Sequence, residues 1–263
     1  EIAPSSWQIK PAQHLLFIGS CFAESIGNKF KDEQFPTVIN PFGVMYNPVS
    51  VLHTARKMAS TPFDTAVFTL GTNHVYVERA TGEIVDNCQK RPQREFEERE
   101  LTIDECADAL REAISLLRTS NPQLRVIVTV SPIRYAKYGY HESQLSKAVL
   151  LLAADKLTKE ASGEVYYFPA YEIVNDELRD YRFYKADMLH PNEQAVVYIW
   201  EQLVATCFSA TAKQFLKEWR PIKEALAHRP FHPEAASYQE FLKKTKEAAR
   251  LLKQKYPNLE LKE

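Results

Sequence analysis

The hydrophobic positions of the chain form short apolar runs that alternate with segments of helical periodicity. The first run, residues 14–18, ends at Gly19, and Phe22, Ile26 and Phe30 then recur at the spacing of one helix face. This pattern predicts a strand, a tight turn and a helix. Further strands are predicted at 37–40, 66–70, 125–130 and 165–168, and further helices at 49–59, 104–119, 142–160 and 193–207.

Three segments add detail to this alternation. Residues 75–78 and 83–86, joined by a turn that contains Gly82, predict a small exposed β-hairpin. Beyond residue 210, two apolar stripes predict a C-terminal helical hairpin that packs on the rest of the protein. The helix at 142–160 has one apolar side, made of Leu145, Val149, Leu152 and the stem of Lys156.

The order of elements predicts a three-layer α/β/α sandwich with a mainly parallel five-stranded sheet over residues 1–210. The helical extension, 211–263, forms the second unit. Folds of this class bind ligands at the carboxyl ends of their strands. That rule directs attention to the turn 19–21, the segment after Asn40, and the segments 71–74 and 131–134.

Composition narrows the function classes. The 263 residues carry 33 Lys plus Arg against 34 Asp plus Glu, and this balance argues against a nucleic-acid-binding protein. No apolar run approaches the roughly 20 residues of a membrane-spanning helix. With no signal peptide visible near residue 1, we expect a cytoplasmic protein with a small or neutral ligand, whose oligomeric state stays open.

The four cysteines lie far apart in the chain. They form no Cys-x-x-Cys motif and no paired Cys/His spacing, so we expect four free thiols. Neither a disulfide framework nor a metal site is predicted, and the chemistry considered below needs no cofactor.

The turn Gly19-Ser20-Cys21, between the first strand and the first helix, is the first candidate for chemistry. Amides at the helix N-terminus point towards this turn, where they favour a thiolate and can hold an oxyanion. A cysteine buried for structural reasons is the alternative interpretation of Cys21.

Asp187 and His190 are the second candidate pair. A carboxylate three residues before an imidazole in a turn can reach its Nδ1 and set the tautomer, which makes His190 a candidate general base. The alternative is an exposed pair that caps the next helix.

Three residues after predicted strands complete the candidate site. Gly71 and Asn73 follow the strand at 66–70, and the Asn73 amide can donate to a developing negative charge or can serve turn geometry alone. Arg134 follows the strand at 125–130 and can hold a carboxylate or a sugar hydroxyl, or lie on the surface.

Several of these segments resemble one protein family. The stretch 17–24, Phe-Ile-Gly-Ser-Cys-Phe-Ala-Glu, resembles the motif that gives the GSCFA family its name. The order of a nucleophile turn, a Gly-x-Asn and an Asp-x-x-His also resembles the SGNH (GDSL-like) hydrolase superfamily. The resemblance runs from about residue 15 to residue 200, and the other segments that carry it are 40–48, 69–72, 87–90, 129–134 and 187–191.

The resemblance implies an SGNH- and flavodoxin-like fold and a hydrolase or acyltransferase that acts on an ester, with a carbohydrate ester among the expected substrates. It places Cys21 where the superfamily has its nucleophilic serine and Ser20 where it has an aspartate. Gly43 corresponds to the oxyanion glycine, and Gly71 and Asn73 correspond to the Gly-x-Asn motif.

Three alternatives stay open at this point. Ser20 can be the nucleophile, with Cys21 turned into the core. The absence of the Asp-Ser pair favours a protein of this fold that binds a glycan or another ligand without catalysis. An assembly role through the helical extension is the third.

Overall fold

The computed structural model describes residues 1–161 and 163–257. The strands of the described residues are β1 (Leu15–Gly19), β2 (Thr37–Ile39), β3 (Thr65–Leu70), β4 (His74–Glu78), β5 (Ile84–Val85), β6 (Phe96–Glu100), β7 (Arg125–Val130) and β8 (Val165–Tyr167). The helices are α1 (Cys21–Asp32), α2 (Pro48–Met58), α3 (Ile103–Arg118), α4 (Gly139–Glu160), α5 (Ala170–Glu172), α6 (Glu193–Cys207), α7 (Ala210–Ala227) and α8 (Ala236–Lys255).

Five strands form a parallel sheet in the order β2-β1-β3-β7-β8. From β1 the chain passes outward to β2 and then returns to the other side of β1 to form β3, where Gly19 lies opposite Thr69. This reversal makes a topological switch point, and its crevice opens at the carboxyl ends of β1 and β3. The predicted fold class is confirmed.

Alternate residues of each strand face two separate cores. Phe17 and Ile127 pack with α1, α6, α7 and α8 on one side of the sheet, whereas Ile18 and Val128 pack with α2, α3 and α4 on the other. All five residues of β1 and all six of β3 are buried, as expected for central strands covered on both faces.

The predicted hairpin is part of a larger sheet. Strand β4 pairs antiparallel with β5, as expected, and on its other edge with β6. Strand β6 was missed because only Phe96 of its five residues is buried, so the run shows no alternation of apolar and polar positions.

The apolar side that the spacing indicates for α4 is not its buried side. Leu145 and Leu152 are 47% and 53% exposed. The first half of the buried face carries Ser143, Ser146 and Lys147 instead. A polar face turned inward has the same periodicity as an apolar one, so the helix was predicted and its orientation was not.

The two C-terminal helices pack against each other, and α7 also contacts the end of α1. Phe215 and Trp219 of α7 are fully or almost fully buried, and the Trp219 indole donates to the Asp32 carbonyl over 3.5 Å. Lys223 pairs with Glu33 at 2.6 Å. Residues 258–263 of the predicted extension lie outside the described residues. None of the helices in the described ranges is long and apolar enough to cross a membrane.

Candidate active site

The turn after β1 is shaped by the close approach of β3. Gly19 has φ +149°, and a Cβ at this position would collide with the Thr69 backbone carbonyl. The Gly19 N–H donates to the Asn40 side-chain carbonyl at 2.9 Å, and its carbonyl accepts from Met45 at 2.8 Å. These contacts fix the direction in which the chain enters α1.

Ser20 and Cys21 have different environments. Ser20 is fully buried, and its hydroxyl caps α1 by accepting from the Phe22 N–H at 3.2 Å, while it also hydrogen-bonds the Thr69 hydroxyl at 3.2 Å. Cys21 is the first residue of α1 and is only half-buried. The side chain that reaches the open edge of the sheet is therefore the thiol.

Tyr46 lies beside this thiol. Its backbone carbonyl accepts from the Gly71 and Thr72 N–H groups at 2.8 and 2.9 Å, so the loop after β2 is docked on the loop after β3. Burial raises the pKa of the Tyr46 phenol, and the negative charge and hydrogen bond of Cys21 raise it further. The loops after three strands thus meet at Cys21.

Asp187 and His190 form the pair that their spacing predicts. The imidazole Nδ1 lies 2.7 Å from Asp187 Oδ2, and Asp187 Oδ1 accepts from the backbone N–H groups of Leu189 and His190. The two backbone hydrogen bonds, followed by the bond to the imidazole, lower the pKa of Asp187 to about 2. The carboxylate is ionised at neutral pH and leaves His190 Nε2 available to other groups.

Arg134, after the end of β7, hydrogen-bonds the loop that carries Asp187 and His190. Its N–H donates to the Leu189 carbonyl at 3.1 Å, and its guanidinium donates to the Met188 carbonyl at 3.4 Å. The same guanidinium stands over three aromatic rings, those of Tyr140, Tyr181 and Tyr184, at 4.6, 5.5 and 5.4 Å from the ring centres.

Neighbours of Cys21 and of His190 line one cavity. This cavity, of about 250 Å³ between α1 and α6, is lined by Ser25 of α1 and by Pro191 and Asn192 at the start of α6. Ser25 is one helical turn from Cys21 and donates to its carbonyl, and Pro191 follows His190. Within residues 1–161 and 163–257, no hydrogen bond joins the Cys21 thiol to the His190 imidazole.

Two predicted oxyanion donors already have partners. The Gly43 N–H donates to the Asn40 carbonyl at 2.9 Å and closes a turn. Asn73 is buried, and its amide nitrogen donates to the Leu101 carbonyl at 2.8 Å. These contacts favour the turn-geometry interpretation of Asn73 and give Gly43 the same structural role.

Sequence reasoning missed Lys147. Its ammonium group is buried and donates to the Gly71 carbonyl at 2.6 Å and to the Ser131 carbonyl at 2.7 Å, at the ends of β3 and β7. Burial lowers the pKa of Lys147 to about 7. The available signal was the helical spacing of Lys147 to Leu150 and Ala154, which puts a lysine on a face with apolar and small residues.

The four cysteines lie in different environments. All four cysteines are free, and burial raises the pKa of both Cys106 and Cys207 to about 12. Within the described part of the chain, no group of three or more His, Cys, Asp or Glu side chains is arranged to hold a metal ion.

Two protein-family models match the chain. The model of the GSCFA family matches residues 14–65 and 55–203. The chain belongs to the GSCFA family. A second model, for the C-terminal domain of GSCFA domain proteins, matches residues 219–263. The GSCFA match therefore includes Cys21, Asp187 and His190, and the C-terminal match includes Trp219 and α8.

Solved structures that resemble this GSCFA protein include an acetyl xylan esterase from Geobacillus stearothermophilus, with 14% identity, coverage of 75% of this chain and 95% of the other, and a TM-score of 0.49. A carbohydrate esterase family 3 protein from Talaromyces cellulolyticus shares 14% identity over 78% of this chain and 99% of its own, with a TM-score of 0.43.

A salicylyl-acyltransferase from a tetracycline biosynthetic pathway shares 13% identity over 76% of this chain and 55% of its own, with a TM-score of 0.46. Identities and TM-scores this low do not assign an activity to the GSCFA chain. None of the curated protein sequences compared with it matches.

Proposed function

We propose that this protein cleaves or transfers an acyl group on an oxygen ester, with Cys21 as the nucleophile, His190 as the base and Asp187 as the residue that orients the base. The 2.7 Å contact between Asp187 and His190 Nδ1 carries this proposal, because it fixes the tautomer that a general base needs. The half-buried thiol at the N-terminus of α1 supplies a nucleophile at the same edge of the sheet.

The reaction has two steps. The Cys21 sulfur bonds to the ester carbonyl carbon while its proton passes to His190, and the alcohol then leaves with that proton as the C–O bond breaks. Water or a second alcohol next attacks the thioester carbonyl carbon while its proton passes to His190. The S–C bond then breaks, the acid or new ester leaves, and His190 gives the proton to the Cys21 sulfur. The Cys21 backbone N–H, one of the first amides of α1, has no carbonyl one turn earlier and can donate to the oxyanion.

The environment of Ser20 supports Cys21 as the nucleophile. The Ser20 hydroxyl is already engaged, because it accepts from the Phe22 N–H as the cap of α1 and is hydrogen-bonded to the Thr69 hydroxyl. We place Ser20 among the residues that support α1, and we assign no oxyanion contact to Gly43 or Asn73, since the structure shows other partners for them.

A small-molecule or glycan ester is the substrate class we propose. The exposed rings of Tyr140 and Tyr181 beside the Arg134 guanidinium form a rim of the kind that packs against sugar rings or other flat ligands. Arg134 is then both the support of the His190 loop and a neighbour of the substrate.

The test uses 4-nitrophenyl acetate with the parent protein and with the Cys21→Ala, Ser20→Ala and His190→Ala variants. We expect 4-nitrophenol release and an acetyl group on the Cys21 peptide in the mass spectrum of the parent. Loss of Cys21 or His190 lowers the acylation rate by roughly 10²-fold or more, whereas Ser20→Ala keeps most of it. Turnover that survives Cys21→Ala and disappears with Ser20→Ala would contradict the assignment of the nucleophile.

A ligand-binding protein of the same fold is the second candidate. The tyrosine rim and the absence of a hydrogen bond between Cys21 and His190 in the described residues favour it. Calorimetric binding of an acetylated oligosaccharide that survives His190→Ala, together with a parent that releases no 4-nitrophenol, would support this candidate against the enzyme.

A further inference from the structure

The hydroxyl of Tyr135 is a buried hydrogen-bonding group with no partner among the residues that the structure describes. A phenol in such a position has lost its contacts with water and has gained none from the protein, which costs free energy. An unpaired buried group of this kind needs an explanation, and a ligand that completes the hydrogen bond is one.

The position of this hydroxyl relates it to Cys21. It lies against Gly71, where a Cβ would collide with it, so only glycine leaves room for the phenol. The Tyr135 ring meets the Tyr46 ring edge-on, with their centres 6.0 Å apart. Burial raises the pKa of Tyr135 above its ordinary value, and the nearby charges of Tyr46 and Cys21 raise it further. The phenol therefore keeps its proton at neutral pH.

We propose that Tyr135 is a catalytic residue whose hydroxyl donates a hydrogen bond to the substrate carbonyl oxygen when the Cys21 sulfur attacks. This inference rests on the proposed acyl transfer. The donors expected from the sequence, on Gly43 and Asn73, are occupied. The Tyr135 hydroxyl has no partner within the described residues and lies against Gly71, next to the Tyr46 backbone.

Lys147 lies against the ring of Tyr135. Its Nζ lies 5.1 Å from the centre of the Tyr135 ring while it donates to the Gly71 and Ser131 carbonyls. Ser143, one turn earlier on α4, lies 3.4 Å from the Tyr135 backbone N–H and accepts from it. These contacts hold the Tyr135 ring against the ends of β3 and β7. Below the Lys147 pKa of about 7, the charge on its Nζ also draws electron density from the phenol and strengthens the O–H as a donor.

The hydrogen bond from Tyr135 acts in the step that forms the thioester. As the sulfur–carbon bond forms, the electron pair of the carbonyl moves onto its oxygen, and the Tyr135 O–H stabilises that charge without giving up its proton. When the carbonyl re-forms, the C–O bond to the alcohol breaks and His190 supplies the proton that the alcohol needs.

The experiment compares Tyr135→Phe with the matched variant Tyr138→Phe. Tyr138 stacks on His74, with ring centres 3.8 Å apart, and its ring centre is 6.4 Å from that of Tyr135. Two rates are measured at Cys21: acetylation by 4-nitrophenyl acetate, which builds an oxyanion, and alkylation by iodoacetamide, which does not. We expect Tyr135→Phe to lower acetylation by about 10²-fold to 10³-fold, the range for one oxyanion donor, with alkylation within 2-fold. Tyr138→Phe leaves both rates within about 2-fold.

A reversible adduct gives a second readout that needs no turnover. Acetaldehyde labelled with ¹³C at its carbonyl forms a thiohemiacetal on the thiol, whose oxygen occupies the oxyanion position. We expect the ¹³C resonance of the adduct in the parent and a Kd raised by about 10-fold or more in Tyr135→Phe. If circular dichroism shows that Tyr135→Phe is unfolded, 3-fluorotyrosine at position 135 replaces it. This residue keeps the shape of tyrosine and makes the phenol a stronger donor, so we expect the acetylation rate at pH 6 to rise.

The outcomes separate this inference from the proposed function. Equal acetylation rates or equal adduct Kd values for the parent and Tyr135→Phe overturn the role of Tyr135 and leave Cys21 as the nucleophile. A parent whose Cys21 is alkylated but forms neither a thioester nor an aldehyde adduct refutes the proposed acyl transfer, and the role of Tyr135 with it. A Cys21 that reacts with none of the three reagents refutes the proposed function itself.

Discussion

At the scale of single residues, the hydrogen bonds that are already made decide which groups are available for chemistry. Ser20, Gly43 and Asn73 each carry a donor or acceptor at the carboxyl edge of the sheet, and each is engaged in a cap or a turn. The Cys21 thiol and the Tyr135 hydroxyl are the groups at this edge on which the proposed chemistry depends.

Asp187→Asn tests the orienting role of the carboxylate. The amide retains the acceptor for the backbone N–H groups but no longer fixes the tautomer of His190, so we expect acetylation of Cys21 to fall by roughly 10²-fold or more. The matched control is Asp180→Asn, since Asp180 is an exposed carboxylate that pairs with Arg182 at 3.2 Å.

The pKa of Asp187 adds a pH test to this prediction. In the folded protein the pKa is lowered to about 2, so the stability that the ionised group contributes is lost only as the pH falls from about 4 towards 2. An acid limb of the acetylation rate above pH 4 in the parent therefore belongs to another group. Equal rates for Asp187→Asn and Asp180→Asn would remove Asp187 from the mechanism.

At the scale of elements, α4 holds the loops of the site with a polar face. Ser146 hydrogen-bonds the Thr72 hydroxyl at 2.9 Å and accepts from the Asn73 N–H at 3.0 Å, and Lys147 joins the ends of β3 and β7. Helix α4 therefore packs on the sheet with apolar residues at one end and fixes the loops of the site with polar residues at the other. It positions the site without forming part of it.

Lys147→Met tests the buried charge on this helix. The pKa of Lys147 is about 7 in the folded protein and about 10.4 in an unfolded chain, so between these values the unfolded chain binds more protons. Raising the pH through this window therefore stabilises the parent. We expect the free energy of unfolding of the parent, minus that of the variant, to rise from pH 7 to pH 9.5 in urea titrations.

The control for that titration is Lys156→Met on the same helix. Lys156 is only partly buried and pairs with Asp104 at 2.7 Å, which raises its pKa, so both states hold its proton over the whole window. The same difference plotted for Lys156→Met stays level. A level line for Lys147→Met as well would mean that Lys147 does not lose its proton on folding.

At the scale of the whole molecule, the switch point of the sheet and the C-terminal helices meet at α1. Helix α1 begins with Cys21 at the site and ends at Asp32, whose carbonyl accepts from the indole of Trp219. Phe215 packs against Phe35 with ring centres 6.1 Å apart, next to the end of α1. The C-terminal helices therefore complete the core that supports the site from the far end of this helix.

Trp219→Ala tests this support. Removal of a buried indole leaves a cavity and costs about 3 to 5 kcal/mol, so we expect a large fall in the free energy of unfolding measured in urea. The rate of Cys21 alkylation under native conditions stays within about 2-fold, because the cavity lies at the opposite end of α1. Phe241→Ala, at a position 41% exposed on α8, is the matched control with a small effect.

Other expectations for the whole molecule stay predictions. They are the cytoplasmic location, the absence of nucleic-acid binding, the small-molecule or glycan ester as partner and the division at residue 210. The oligomeric state stays open.

The sequence by itself determined the elements and their order. Apolar runs of four to six residues predict strands because a strand covered on both faces has no polar positions, and helical spacing predicts α1, α3 and α6 within a few residues. It also predicted the Asp187–His190 contact, because two side chains three residues apart in a turn can reach each other whatever the rest of the fold is.

The tertiary structure alone decided which donors are free and which side of α4 is buried. The partner of Asn73 and the orientation of Lys147 depend on groups brought together by folding, 28 residues apart for Asn73 and Leu101 and 76 residues apart for Lys147 and Gly71. A residue pattern records the polarity of a side chain and not its partner. The role of Tyr135 became visible only when Gly71, Tyr46 and Cys21 were placed around its hydroxyl.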